Sequence, residues 1–173
     1  MIEILVADIT TLATDAIVNA ANSALAGGGG VDGAIHRRAG PELAKAATAF
    51  APCAPGEAVL TPGFRLPARY VIHAVGPVWW GGDREEETIL ARTYERAFEV
   101  ARAHGGIRSI AFPAISTGAY RFPKAAAAKI ALTAMLRHEN TFERIVACVF
   151  DEETARHYRQ LHQTGSAPRA GDA

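Results

Sequence analysis

The stretch NAANSALAGGGGVDGAIH, Asn19 to His36, sets four consecutive glycines, Gly27 to Gly30, between carboxamides on one side and an acid and a histidine on the other. Adjacent glycines suit neither a helix nor a strand, because each surrenders more backbone entropy on folding than any other residue. They suit a place where the backbone itself touches a ligand. A glycine loop running into a helix start offers bare N–H groups and a favourable dipole to an anion, phosphate above all. The polar side chains around this loop point to chemistry beside that anion.

Outward from the loop, short apolar runs alternate with helical patterns. IEILVA (Ile2 to Ala7) and AIVNA (Ala16 to Ala20) read as β-strands separated by a polar turn. Beyond the glycines, GAIHRRAG reads as a short helix ending near Gly40. Pro41 then opens the continuation ELAKAATAF at a position where a missing N–H is harmless. EAVLT (Glu57 to Thr61) and RYVIHAV (Arg69 to Val75) are strands rich in β-branched residues, with a Pro/Gly turn between them. Glu86 to His104 keeps one apolar face through Leu90, Tyr94, Ala97 or Phe98, and Ala101, the pattern of a long helix that Gly105 and Gly106 end. IRSIAF (Ile107 to Phe112) and IVACVF (Ile145 to Phe150) are buried strands, separated by an alanine-rich helix from Pro123 to about His138. Asp151 caps a last helix, whose positive end Glu152 and Glu153 suit. Strands alternating with helices predict an α/β domain, its mostly parallel sheet covered on both faces. That domain is expected over residues 1–163, with the small, polar stretch 164–173 as a disordered tail.

The 173 residues suffice for one domain with a substantial core, and 49% apolar with 21% charged residues is ordinary for a globular chain. Formal net charge is zero, so no basic field draws the protein to nucleic acid or to anionic membranes. MIEILVADITTL lacks the basic start and apolar core of a signal peptide, and no apolar stretch approaches the length of a membrane span. Cys53 and Cys148 lie far apart and outside any CxxC pattern. They read as reduced packing thiols, which makes the cytoplasm the expected compartment.

Ligands of open α/β sheets bind beyond the carboxyl ends of the strands. The predicted strands put Asp8-Ile9, Asn19 to Asp32, Ala114 to Tyr120 (AISTGAY) and Phe150-Asp151 there. Two glycine-bearing loops suit the two phosphates of a diphosphate. A carboxylate such as Asp8 accepts from the exocyclic amine of adenine, and Phe150 offers a π-face to a base. Together these features favour a diphosphate nucleotide. Taken singly, each has a plainer reading. Asp8 ends a strand, Phe150 belongs to the core, Ser116-Thr117-Gly118 is a turn, and Asn19 and Asn22 cap backbone groups. His36, one helical turn after Asp32, is hydrogen-bonded structure. The conjunction carries the argument. Other chemistries lack their signatures: no Lys-Ser/Thr follows the glycines, no GxSxG occurs, and the six histidines form neither HExxH nor a zinc-spaced cluster. A non-covalent site without metal or cofactor is the expectation.

At these residues the chain resembles a family, the macrodomains, and within it the MacroD-type and bacterial O-acetyl-ADP-ribose deacetylase subgroup. The matching segments are ADIT (Ala7 to Thr10), DAIVNAANSALAGGGGVDGAIHRRAG (Asp15 to Gly40), VIHAVGPVW (Val71 to Trp79) and SIAFPAISTGAYRFP (Ser109 to Pro123). The resemblance implies a three-layer α/β/α sandwich with a mixed, mostly parallel central sheet, binding ADP-ribose in a deep cleft. Asp8 would take the adenine amine, with Ile9 lining the same pocket and Phe150 flanking the base. Gly28, Gly29, Gly30 and Val31 would hold the diphosphate from one side, and Ser116, Thr117, Gly118, Ala119 and Tyr120 from the other. Asn22 would fix the distal ribose, Asp32 would position or activate water, and His36 would support Asp32 and the loop. Two positions depart from the pattern: Ala7 stands where many members have glycine, and Arg121 stands where glycine is common.

The function so implied is hydrolysis of groups esterified to ADP-ribose, with Asn22, Asp32 and His36 as the catalytic set. O-acetyl-ADP-ribose and proteins mono-ADP-ribosylated on Asp or Glu both fit, since each carries an ester on the distal ribose. The expected partners are these molecules, with no membrane, no general nucleic-acid binding and a monomeric chain. The rival classes are a reader that binds ADP-ribose without cleaving it, and an eraser of ADP-ribose from nucleic acid ends.

Overall fold

The computed structural model describes residues 1–165. Strands β1 (Ile2–Val6), β2 (Ala16–Ala21), β3 (Ala58–Pro62), β4 (Tyr70–Val75), β5 (Ser109–Phe112) and β6 (Arg144–Val149) form one sheet in the order β1-β6-β5-β2-β4-β3. All neighbours are parallel except the edge strand β3, which runs antiparallel to β4. The helices are α1 (Gly30–Ala39), α2 (Glu42–Thr48), α3 (Glu86–His104), α4 (Lys124–His138) and α5 (Glu152–Gly165). Of the tail expected at 164–173, Thr164 and Gly165 continue α5, and the rest lies outside the described residues. No helix among the described residues is long and apolar enough to cross a membrane.

Side chains of a strand point alternately to opposite faces, and the core divides accordingly. Val18, Ile72, Ile110, Phe112, Ile145 and Ala147 turn to one face, where they pack with Leu90, Tyr94 and Phe98 of α3, Ala131 and Met135 of α4, and Ala155 and Tyr158 of α5. Ile17, Val71, Ala111, Val146 and Cys148 turn to the other, against Ile35 and Ala39 of α1 and Leu43 of α2. The result is the predicted three layers. Cys53 and Cys148 are free and buried, as packing thiols should be.

This topology locates the site. β2 and β5 are neighbours, yet β2 leads to α1 on one face while β5 leads to α4 on the opposite face. Their following segments diverge and leave a crevice at the carboxyl end of the sheet, the place where open α/β sheets bind ligands.

Candidate functional site

A cavity of about 490 Å³ fills that crevice. Its first wall is the turn from β2 into α1. Gly29 caps α1 with no side-chain hydrogen bond, and the first intrahelical bond runs from Gly33 N–H to the Gly29 carbonyl at 3.2 Å. The N–H groups at the start of α1 therefore lack a side-chain acceptor, next to the positive end of the helix dipole. A Cβ placed on Gly29 or Gly30 would meet nothing within 4 Å, so these two positions face open space. One built on Gly28 would come within 3.0 Å of Asp32 Oδ2, and one on Gly33 within 2.4 Å of the Gly28 carbonyl oxygen. Glycine at 28 and 33 lets the loop fold tightly over Asp32.

Asp32 is buried and held from behind. Asn19 donates from Nδ2 to Asp32 Oδ1 at 2.8 Å, and His36 Nε2 lies 3.3 Å from the same oxygen, one helical turn along α1. The other oxygen, Oδ2, is the one turned to Gly28, and Asp32 is among the residues lining the cavity. Asn22 donates from Nδ2 to the Gly27 carbonyl at 3.2 Å, while its Oδ1 is buried without a protein partner.

The second wall follows β5. Ser116 takes φ +67°, a left-handed conformation that is uncommon outside glycine, and its buried Oγ has no hydrogen-bond partner. Gly76 lies directly behind it; a Cβ there would stand 2.2 Å from Ser116 Oγ. The loop is braced from three sides. Tyr94 on α3 accepts from Ile115 N–H at 3.1 Å, Phe122 N–H donates to the Ser116 carbonyl at 2.9 Å, and Trp79 N–H donates to the Tyr120 carbonyl at 2.8 Å. Trp79 belongs to a loop gathered by Glu86, whose carboxylate accepts from the N–H groups of Trp80, Gly82 and Arg84. The cavity ends at Phe150, Asp151, Thr154 and Lys124. Phe150 is 67% exposed, with its ring free to meet a ligand.

The macro domain family profile matches residues 18–131 of this chain. The chain is 54% identical over 166 residues to a Klebsiella pneumoniae protein named O-acetyl-ADP-ribose deacetylase, an alignment spanning 92% of this chain and 94% of that one. The protein belongs to the macrodomain family. A macro domain-containing protein of Ralstonia nicotianae is 58% identical over 144 residues, covering 83% of this macrodomain and 84% of its own length. Among solved structures, the Oceanobacillus iheyensis macrodomain with ADP superposes at a TM-score of 0.89 and 41% identity, over 94% of this chain and 90% of that one. The Trypanosoma brucei macrodomain in complex with ADP-ribose superposes at 0.83 and 41% identity, over 92% of this chain and 68% of that one.

Within this macrodomain the cavity gathers Asn22, Gly28 to Asp32, Ser116 to Tyr120 and Phe150, which the sequence had marked. His36 supports from behind Asp32. Asp8 and Ile9 are not among the lining residues. Ile9 is buried under α1 and Asp8 is exposed, with Oδ1 accepting from Thr10 N–H at 2.9 Å and Thr10 Oγ1 at 2.7 Å. These two bonds hold the Asp8 carboxyl below its ordinary range. Asp8 still lies at the same sheet edge as Phe150, because Ala7 N–H donates to the Val149 carbonyl at 3.1 Å. Arg121 is exposed at φ +62°, a conformation glycine enters freely. Sequence reading missed Gly76, Lys124 and Thr154 as lining residues, and His73 and Thr61 as buried polar neighbours of the site. His73 did leave a signal: it interrupts the apolar run of β4.

Proposed function

We propose that this macrodomain binds ADP-ribose in the cavity and hydrolyses esters on its distal ribose, both O-acetyl-ADP-ribose and mono-ADP-ribose carried on Asp or Glu of proteins. The observation that carries this reading is the two-sided setting of Asp32. One carboxylate oxygen is fixed by Asn19 with His36 close beside it, while the other faces the glycine turn at an uncapped helix start. A protein that only read ADP-ribose would need the adenine and diphosphate contacts, and no buried carboxylate held in this way. The Klebsiella and Enterobacter relatives named O-acetyl-ADP-ribose deacetylase support the same reaction class.

In this reading the diphosphate lies between Gly28–Val31 and Ser116–Tyr120, receiving backbone N–H groups from the start of α1. Asn22 and Ser116 line the cavity, and their buried oxygens Asn22 Oδ1 and Ser116 Oγ have no protein partner. Asp32 Oδ2 takes a proton from water as the water oxygen attacks the ester carbonyl. The acyl–oxygen bond to ribose then breaks, and the proton passes to the departing ribose oxygen. A carboxylic acid and ADP-ribose with a free hydroxyl result. Much of the rate gain comes from positioning, with general-base help worth roughly a hundred- to ten-thousand-fold.

Replacing Asp32 by alanine tests the assignment. Turnover of O-acetyl-ADP-ribose and of a Glu-modified protein is expected to fall by about a hundredfold or more, with ADP-ribose affinity by calorimetry within about tenfold of wild type. Equal turnover by the two proteins would remove Asp32 from the chemistry. Tight binding by wild type with no product from either substrate would make the protein a reader.

A further inference from the structure

Asn19 and His73 are partners in the β2–β4 register and interrupt otherwise apolar strands. Both are fully buried. Nothing in the proposed hydrolysis uses His73, yet it stands in an unbroken polar chain that ends on Asp32. Asn19 Nδ2 is 2.8 Å from Asp32 Oδ1 and 3.2 Å from His73 Nδ1. His73 Nε2 is 3.0 Å from Thr61 Oγ1, and Thr61 Oγ1 is 3.1 Å from the Pro62 carbonyl oxygen.

We infer that His73 is a positioning residue for Asp32, acting through the Asn19 carboxamide, an inference that rests on the assignment of Asp32 to the hydrolytic step. Only one arrangement of protons satisfies the chain. The amide hydrogens of Asn19 must point to Asp32 Oδ1 and to His73 Nδ1, since turning the amide over would set its oxygen against a carboxylate oxygen. His73 Nδ1 is then bare, Nε2 carries the hydrogen and donates it to Thr61 Oγ1, and the Thr61 hydroxyl donates to the Pro62 carbonyl. A second proton on the ring would face the Asn19 N–H groups. Burial first, and the neighbouring His36 second, also hold the imidazole neutral, lowering it from 6.5 to about 3.

The consequence falls on the carboxylate. Asn19 Oδ1 is buried with no partner, so nothing on the oxygen side anchors this amide. The amide is held by its two acceptors, Asp32 Oδ1 and His73 Nδ1. With both in place, Asp32 Oδ1 receives its bond and Oδ2 is presented to the glycine turn. With an apolar residue at 73, Asp32 Oδ1 is the amide's remaining acceptor, one Asn19 hydrogen is stranded in the core, and the carboxamide loses its second anchor.

The test uses His73→Leu, His73→Asn and Thr61→Val in the full chain. His73→Leu is expected to lower kcat on O-acetyl-ADP-ribose by about tenfold or more, with KM and ADP-ribose affinity within about threefold. In His73→Asn the new carbonyl takes the place of Nδ1 as acceptor, and kcat is expected to recover to within about threefold of wild type. Thr61→Val keeps the ring and removes the acceptor of its Nε2 hydrogen; kcat is expected to fall about threefold with KM unchanged. Nitrogen-15 NMR of wild type at neutral pH is expected to show a neutral His73 with its proton on Nε2, and Thr61→Val a mixture of tautomers. A merely structural His73 would lower the melting temperature in His73→Leu and leave kcat alone. A folded His73→Leu protein with wild-type kcat overturns the inference, as does a wild-type ring protonated on Nδ1. If His73→Leu does not fold, wild-type kcat in Thr61→Val overturns it instead. The two readings fail separately: turnover indifferent to Asp32→Ala removes Asp32, whereas turnover that needs Asp32 but ignores the His73 substitutions removes His73.

Discussion

At the scale of single residues, the site is a set of side chains whose partners decide their use. Asp32 has one oxygen tied to Asn19 and near His36 and one turned to Gly28; Asn22 Oδ1 and Ser116 Oγ are buried and unpartnered. Phe150 is the plainest case. Sequence alone left it as either core or stacking surface, and the structure exposes 67% of it at the end of the cavity. Phe150→Ala is therefore expected to leave the melting temperature within about two degrees, since surface substitutions away from special features are nearly neutral. The same change is expected to weaken ADP-ribose binding about tenfold through the lost base contact. Calorimetry on the purified variant checks both halves, and unchanged affinity would move the adenine elsewhere. The pairing of Asp32 with His36 was legible because four residues along a helix share a face. Asn19 with His73 was not, because strand neighbours are chosen by the sheet and lie 54 residues apart in the chain.

At the scale of elements, two supports hold the second wall of the cavity from outside it. Glu86, in the first turn of α3, gathers the Trp79–Gly82 loop, and Trp79 in turn bonds the Tyr120 carbonyl. Burial by itself raises a carboxyl, but the N–H donors of Trp80, Gly82 and Arg84 outweigh it and hold Glu86 at about 2, below its ordinary 4.5. A folded-state value below the unfolded one adds stability that is complete above the unfolded value and lost as pH falls towards the folded one. Denaturant midpoints of wild type are thus expected to fall between about pH 4.5 and about pH 2 more steeply than those of Glu86→Gln. Parallel slopes would deny Glu86 this role. Tyr94 is the inner support: its hydroxyl accepts from Ile115 N–H and donates to the Pro113 carbonyl at 3.3 Å, wholly inside the core. Tyr94→Phe strands both groups and is expected to lower stability by about 1–3 kcal/mol in chemical denaturation. It is expected to weaken ADP-ribose binding as well, because those groups begin the Ser116–Tyr120 loop. Neither support was legible from spacing. Helix α3 itself was, from its apolar face, but that periodicity does not say which loop its polar atoms reach.

At the scale of the molecule, the cavity is a product of strand order. The glycine turn belongs to the layer carrying α1 and α2, and the Ser116–Tyr120 loop leads into the layer carrying α3, α4 and α5. A ligand held by both ties the two layers together across the sheet. ADP-ribose at about a hundred times its dissociation constant is accordingly expected to add about 2.7 kcal/mol to stability, read as a rise in melting temperature. Tyr94→Phe is expected to show a smaller rise at the same concentration, and no rise in wild type would place the ligand outside the cavity. The sequence by itself determined what local physics controls: the strands from their apolar runs, the helices from period and caps, the glycine turn into α1, and the Asp32–His36 pairing. Only the tertiary structure decided which strands are neighbours. That choice set β5 beside β2 so that two loops face each other, and set β4 beside β2 so that His73 reaches Asn19. The physical reason is that helix and strand signals are written within a turn or two of chain. Strand order is settled by burying two faces of one sheet at once, an outcome that depends on every element together.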